Sequence, residues 1–272
     1  MAKPCGLAEV EIVRRIDNWE SEMRNGIFIS VLAGALFLPL AATAQTAPDL
    51  SGVWTGGGGG AGAAGGAMSQ WGAKPLPFTA AGLAKFNANK PGKGPRQGPP
   101  ALGNDPIGDS NPPGLYRTLI YGRPFEFIQL KNKVIQIFEW GKVWRVIYTD
   151  GRKVPDQLPA GPYWYGYSVG KWEGDTLVVD TVALDSRAWL DEWGTPFGDD
   201  TRVQERWRRQ DNNLELTVKL TDPALLKEPW ISDTKRYRLQ PNGELDEMIF
   251  APIDEKEFNS RIRNPAAGVP SR

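Results

Sequence analysis

Three clusters hold the side chains best equipped for chemistry. Asp150-Gly151-Arg152 is a charged turn, Tyr163-Trp164-Tyr165-Gly166-Tyr167 is an aromatic run, and residues 185–206 read DSRAWLDEWGTPFGDDTRVQER. The last stretch concentrates Asp185, Asp191, Glu192, Asp199 and Asp200 with Trp189, Trp193 and Arg202. A carboxylate pair beside indoles can work as acid and base, because apolar walls raise one carboxyl pKa while a neighbour stays ionised. Asp191 and Glu205 are the pair such a mechanism would use. The same side chains also suit a ligand without chemistry: Trp164, Tyr165, Tyr167, Trp189 and Trp193 would stack on it, while Asp185, Asp191, Arg202 and Glu205 would orient it. A third reading is a loop in which Trp189 and Trp193 plug the end of a barrel. Long loops inside compact domains are usually functional or mobile, which keeps all three open.

Composition removes many alternatives. The 272 residues contain no His, so Ser-His-Asp and Cys-His nucleophiles, imidazole bases and His-ligated metals are excluded. The sole Cys5 excludes thiolate clusters and an intrachain disulfide. With 32 Lys+Arg against 32 Asp+Glu the chain is no general polyanion binder. Arg206-Trp207-Arg208-Arg209 resembles a nucleic-acid platform in composition, but strand spacing splits its charges between two faces. Asp191, Asp199 and Asp200 match no 12-residue calcium loop, and the glycine run 56–66 lacks the Lys-Ser/Thr of a phosphate loop. No metal, cofactor or nucleic acid is therefore expected; the expected partner is a small molecule, and no oligomeric state is implied.

The elements that must position these residues begin after a leader. Arg24 precedes an apolar run, 27–40, and Ala42-Thr43-Ala44, which together have the parts of a secretory signal peptide over 23–44. The run is short for a membrane span of about 20 residues, so no stable span is expected once it is cleaved. Residues 1–22, rich in Glu, read as an extension upstream of a start at Met23. Lys3, Arg14, Arg15 and Arg24 precede residue 45, as do Glu9, Glu11, Asp17, Glu20 and Glu22, leaving 28 basic and 27 acidic residues in the remainder. The protein is accordingly expected in the periplasm or outside the cell. Residues 45–113 read as a Gly/Pro-rich arm with one short helix near 78–86 capped by Thr79, and 259–272 as a tail.

From Leu115 onward the pattern becomes strand and turn. Alternating runs at 125–130, 134–140, 143–148, 165–172, 176–181, 202–209, 214–220, 234–239 and 244–250 are separated by turns such as Glu173-Gly174-Asp175 and Asp211-Asn212-Asn213. About nine strands, nearly all antiparallel by connectivity, predict an all-β domain over 114–258. It should close as a meander barrel, lipocalin-like, or as a half-open sandwich, because closure removes exposed sheet edges. On the run 202–209, Val203 facing the core would carry Glu205 inward with it, and a buried carboxylate demands a partner such as Arg145 or Arg202.

PFEFIQ (124–129), WRVIYTDGR (144–152), GYSVGKWEGDTLVVDT (166–181), WLDEWGTP (189–196), RVQERWRR (202–209) and DPALLKEPW (222–230) resemble a family of uncharacterised exported bacterial proteins found in proteobacteria and acidobacteria. The resemblance spans about 124–230, agrees with the strand reading and implies export, but carries no activity. Relatives often have His after the TDGR turn and in the loop after WLD; here Lys153-Val154-Pro155 and Pro196-Phe197-Gly198 stand in those places. Any imidazole chemistry of the relatives is then lost here or replaced by carboxylates. The sequence thus leads to an exported β-barrel that binds a small apolar or aromatic ligand. A cofactor-free hydrolase, lyase or isomerase using paired carboxylates, and a structural envelope protein without a ligand, are the alternatives.

Overall fold

The computed structural model describes residues 47–56, 69–109, 111–155, 158, 161–248 and 257–268. The expected extension at 1–22 and signal peptide at 23–44 lie outside the described residues. Ten strands form one sheet: β1 (Gly52–Gly56), β2 (Phe125–Leu130), β3 (Lys133–Phe138), β4 (Trp144–Tyr148), β5 (Tyr167–Glu173), β6 (Thr176–Val182), β7 (Arg202–Gln210), β8 (Asn213–Thr221), β9 (Trp230–Ile231) and β10 (Lys235–Gln240). Neighbours follow chain order from β1 to β9, while β10 pairs with both β1 and β8, so nine strands close into a barrel and β9 lies outside the ring on β8.

Alternation dictates which side chains fill the barrel. Val203, Glu205 and Trp207 of β7 face inward, as do Leu214, Leu216, Val218 and Leu220 of β8, whereas Arg202, Arg206 and Arg208 are exposed. The lumen is packed with rings. Phe125 meets Phe127 at 5.2 Å and Tyr237 at 5.1 Å between centroids, and Phe127 meets Trp207 at 5.2 Å, all edge-on. Such contacts are worth about 0.5–1.5 kcal/mol each beyond the area they bury. An antiparallel meander closing as a lipocalin-like barrel was expected, and the strands do close as a barrel, with these rings packed together in its core.

Two short helices cover the barrel. α1 (Ala80–Ala88) starts at Thr79, whose side chain accepts a bond from Gly82 N. Gly82 packs so closely on Leu225 that a Cβ there would overlap the Leu225 carbonyl. α2 (Leu115–Ile120), in a stretch read only as strand and turn from Leu115 onward, has all six residues buried, and Leu119 O accepts from Tyr237 Oη inside the barrel at 3.2 Å.

Four further features depart from the sequence reading. β1, from the segment taken as an arm, is a barrel strand. Among the described residues the run 234–239 does not form a hairpin with 244–248; instead β10 pairs with β1 and β8, and of 244–248 only Met248 makes a bridge, to Trp140. β9, which the pattern did not predict, adds to β8. The meander is also interrupted by one parallel pair, β4–β5, confined to Ile147↔Ser168 and Tyr148↔Val169.

Candidate functional site

Glu205 and Arg145 meet inside the barrel, as the alternation of β7 implied, with the carboxylate fully buried and the Arg145 side chain 1% exposed. Arg145 Nη1 and Nη2 donate to the two carboxylate oxygens at 2.7 and 2.6 Å. Tyr116 Oη, Trp207 Nε1 and Thr181 Oγ1 add donors at 2.8, 2.7 and 3.2 Å, and Arg145 Nε donates to Gln136 Oε1 at 2.8 Å. Burial pushes the Glu205 carboxyl up, but the guanidinium and these donors outweigh it and hold it below the ordinary carboxylate range. Burial together with the Glu205 charge raises the Tyr116 phenol well above its usual value. Arg202, the other partner considered, is exposed on the outer wall beside Asp180 and Lys219.

Asp191 belongs to a different network. Its Oδ2 accepts from Ser69 Oγ (2.5 Å), Gln70 N (2.9 Å) and Thr195 Oγ1 (2.9 Å), and its Oδ1 from Trp193 N (3.0 Å) and Thr195 N (3.1 Å). Together with Leu190 N donating to Thr195 O at 2.8 Å, these bonds fold residues 189–196 into a compact turn. Trp189 and Trp193 are 4% and 8% exposed, packed as walls of this turn, so they offer little to a solvent-borne ligand. Asp185 pairs with Arg187 at 2.5 Å, and that guanidinium sits 4.5 Å over the Trp164 ring. Asp191 and Glu205 are thus each saturated by their own donors, which gives an acid–base pair no free oxygen to work with. Among the described residues, no three His, Cys, Asp or Glu side chains gather as metal ligands.

What the structure does gather is aromatic. A groove of about 360 Å³ opens in the outer wall between β4 and residues 163–168, lined by Trp144, Tyr148, Tyr163, Trp164, Tyr165 and Tyr167, with Arg145 and Ser168 also contributing. Its cause is local. Tyr163 N donates to Ala183 O and Asp185 N to Tyr163 O, drawing the chain before β5 away from β4. Gly166, at φ +67°, makes the bend; a Cβ there would lie 2.5 Å from Thr181 Cγ2. β4 and β5 touch at one end and splay at the other, and the aromatic run fills the splay.

The rim is charge-balanced. Arg152 stacks 3.8 Å over Tyr148, donates to Tyr167 Oη at 3.2 Å and pairs with Asp150 at 2.6 Å. Tyr148 and Tyr167 lie 5.5 Å apart between centroids, and Trp144 is 65% exposed. Of the expected ligand residues, Trp164, Tyr165 and Tyr167 line this groove, Asp185 reaches its rim through Arg187, and Trp189, Trp193, Asp191, Arg202 and Glu205 lie elsewhere. Trp144 and Tyr148 were missed, and Tyr163, named within the aromatic run, was left out of the stacking set. The signal for the first two was present, since WRVIY places Trp144, Val146 and Tyr148 on the face opposite Arg145 and Ile147, an apolar outer face for a barrel strand. Against models of known protein families, curated proteins and solved structures, the chain finds no match.

Proposed function

We propose that this chain is an exported β-barrel protein that binds a small apolar or aromatic ligand, in the β4–β5 groove on its outer wall. The observation that carries the reading is the gathering of six aromatic residues along one groove of about 360 Å³, with Trp144 left 65% exposed. Large exposed indoles are unusual on a free surface, and pockets of roughly 300–1,000 Å³ lined by aromatic groups suit small ligands. Export is supported by the leader-like residues 23–44 and by the resemblance through GYSVGKWEGDTLVVDT. Acid–base chemistry by the Asp191–Glu205 pair would need free carboxylate oxygens, and those of both residues are committed to hydrogen bonds within the fold.

Tryptophan fluorescence tests this directly, with phenolics, terpenoids, fatty acids and oligosaccharides as titrants. A saturable change lost in both Trp144→Ala and Trp164→Ala, while those variants keep the wild-type unfolding midpoint within a few degrees, is the expected result. A flat response across the panel, or a response that both variants retain, overturns the assignment of the groove.

A further inference from the structure

The backbone of β4 adds a second kind of recognition to this groove. Phe138 N donates to Val143 O at 2.8 Å and Thr149 N to Asn132 O at 2.9 Å, which fixes the phase of the β3–β4 ladder. In an antiparallel pair the hydrogen-bonding residues alternate. Val143, Arg145 and Ile147 therefore turn their backbone groups toward β3, while Trp144, Val146 and Tyr148 turn theirs toward β5. At Tyr148 that side is met by β5 through Ile147↔Ser168 and Tyr148↔Val169. Beyond it the chain at 163–166 has left for Ala183 and Asp185, and among the described residues no backbone bond reaches Trp144 N–H, Trp144 C=O or Val146 N–H. Among the described residues these groups form a short open edge between β4 and β5, and the aromatic groove lies against them.

We infer that the groove takes a short extended peptide segment, uncharged and bearing aromatic or apolar side chains, which adds to the Trp144–Val146 edge as a strand. The inference rests on the ligand reading of the same groove and narrows it. A donor, an acceptor and a second donor spread over two residues, roughly 7 Å at the rise of a strand, match the backbone of an adjoining chain. A lone aromatic ring would leave them unmet. Charge points the same way: Arg152 and Arg187 at the rim are each neutralised by a neighbouring carboxylate, Asp150 and Asp185, so nothing there calls for an anionic ligand. Exposed edges are ordinarily blocked by Lys, Pro or a bulge, and this one is flanked by Trp144 and tyrosines instead.

Amide hydrogen exchange on the full chain, with acetyl-Tyr-Thr-Tyr-amide as the probe, tests the inference. In the free protein the Trp144 and Val146 amides should exchange on the order of 100-fold faster than those of Arg145 and Ile147. Saturation with the peptide should slow both edge amides. Methylating the nitrogen of its central peptide bond should weaken binding roughly threefold to tenfold, the worth of one such bond. Val146→Pro removes the second donor without touching the β3 ladder and should do the same, since proline is tolerated where a strand N–H faces outward; if that variant fails to fold, the methylated peptide decides alone. Protected Trp144 and Val146 amides in the free protein, or equal binding of the methylated peptide, overturns the inference. So does self-association of the free chain through this edge. Para-cresol separates the two levels of the argument. If it binds with a fluorescence change while the peptide does not, the groove reading stands and the peptide inference falls. If neither probe binds, both fall.

Discussion

Replacing Glu205 with Gln keeps the shape of the side chain and removes one charge, leaving Arg145 buried without its counterion. Five hydrogen bonds converge on that carboxylate, two from the guanidinium and one each from Tyr116, Trp207 and Thr181. A Gln amide has one acceptor oxygen, so some of those donors would meet an NH2 group. Breaking a buried pair from one side typically costs about 3–5 kcal/mol, against a total stability of about 5–15 kcal/mol. At roughly 2–4 °C per kcal/mol for a domain of this size, the melting temperature should drop by about 6–20 °C. Urea unfolding followed by tryptophan fluorescence measures the free-energy loss, and thermal unfolding the melting shift. The pH dependence supplies a second check with a definite sign. Because the folded carboxyl lies below its ordinary value of about 4.3, the pair contributes fully above that value and its contribution disappears as the pH falls through the folded pKa. The acid limb of the stability profile should therefore be shallower in Glu205→Gln. The double variant Glu205→Leu/Arg145→Met should recover only part of the loss: it removes the unpaired charge, but Tyr116, Trp207 and Thr181 still lose their acceptor. A loss under about 1 kcal/mol in Glu205→Gln would refute the claim that this pair is a structural keystone of the lumen.

Three other outcomes are expected. Asp191→Ala strands several buried donors, among them Ser69 Oγ and the amides of Trp193 and Thr195, and should cost about 3 kcal/mol or more in chemical denaturation while leaving ligand affinity at the β4–β5 groove unchanged. Gly82→Ala would ordinarily help a helix by nearly 1 kcal/mol, but here the new methyl overlaps the Leu225 carbonyl, so unfolding should come about 1–3 kcal/mol earlier. Tyr121 and Tyr165, each pushed up to about 12 by burial, should stay protonated in an ultraviolet titration to pH 11. Folded pKa values above the unfolded one mean that their contribution to stability is present below pH 10 and disappears between about pH 10 and 12.

The strands were legible wherever their partner lay next in the chain. Runs such as 125–130 and 133–138 alternate, flank a tight turn and pair with each other. The inward turn of Glu205 followed from the same alternation, which left both Arg145 and Arg202 open as its partner. What stayed hidden was non-local. β1 is five residues with glycine at both ends, and it is a strand only because β10 and β2 flank it. The α2 segment LYRTLI has no polar face to mark it as helix, since every side of it is buried. Asp191 could not be told from a catalytic carboxylate by sequence, because three of its five donors are backbone amides, which every residue type supplies. The groove was half legible: the aromatic run announced Trp164, Tyr165 and Tyr167, but the splay that recruits Trp144 and Tyr148 depends on a parallel pairing that no turn encodes.

The position of β1 also sets the order in which the molecule can be assembled. Its register partner across the ring is β10, with Val53 opposite Gln240, so the last seam joins residues near opposite ends of the described chain. Until β1 and β10 have met, β2 lacks its β1–β10 flank and Trp54 and Tyr237 have no completed lumen to enter. Loop-closure entropy grows only slowly with length, so the late seam costs little in final stability. It weighs on the rate instead, because high contact order slows folding. The hairpins β2–β3, β5–β6 and β7–β8 form from neighbouring residues, whereas the seam waits for a chain-wide encounter. Refolding should accordingly show early hairpin protection and a later, cooperative burial of Trp54, a sequence of events that a circular permutant joining β10 directly to β1 would compress into one.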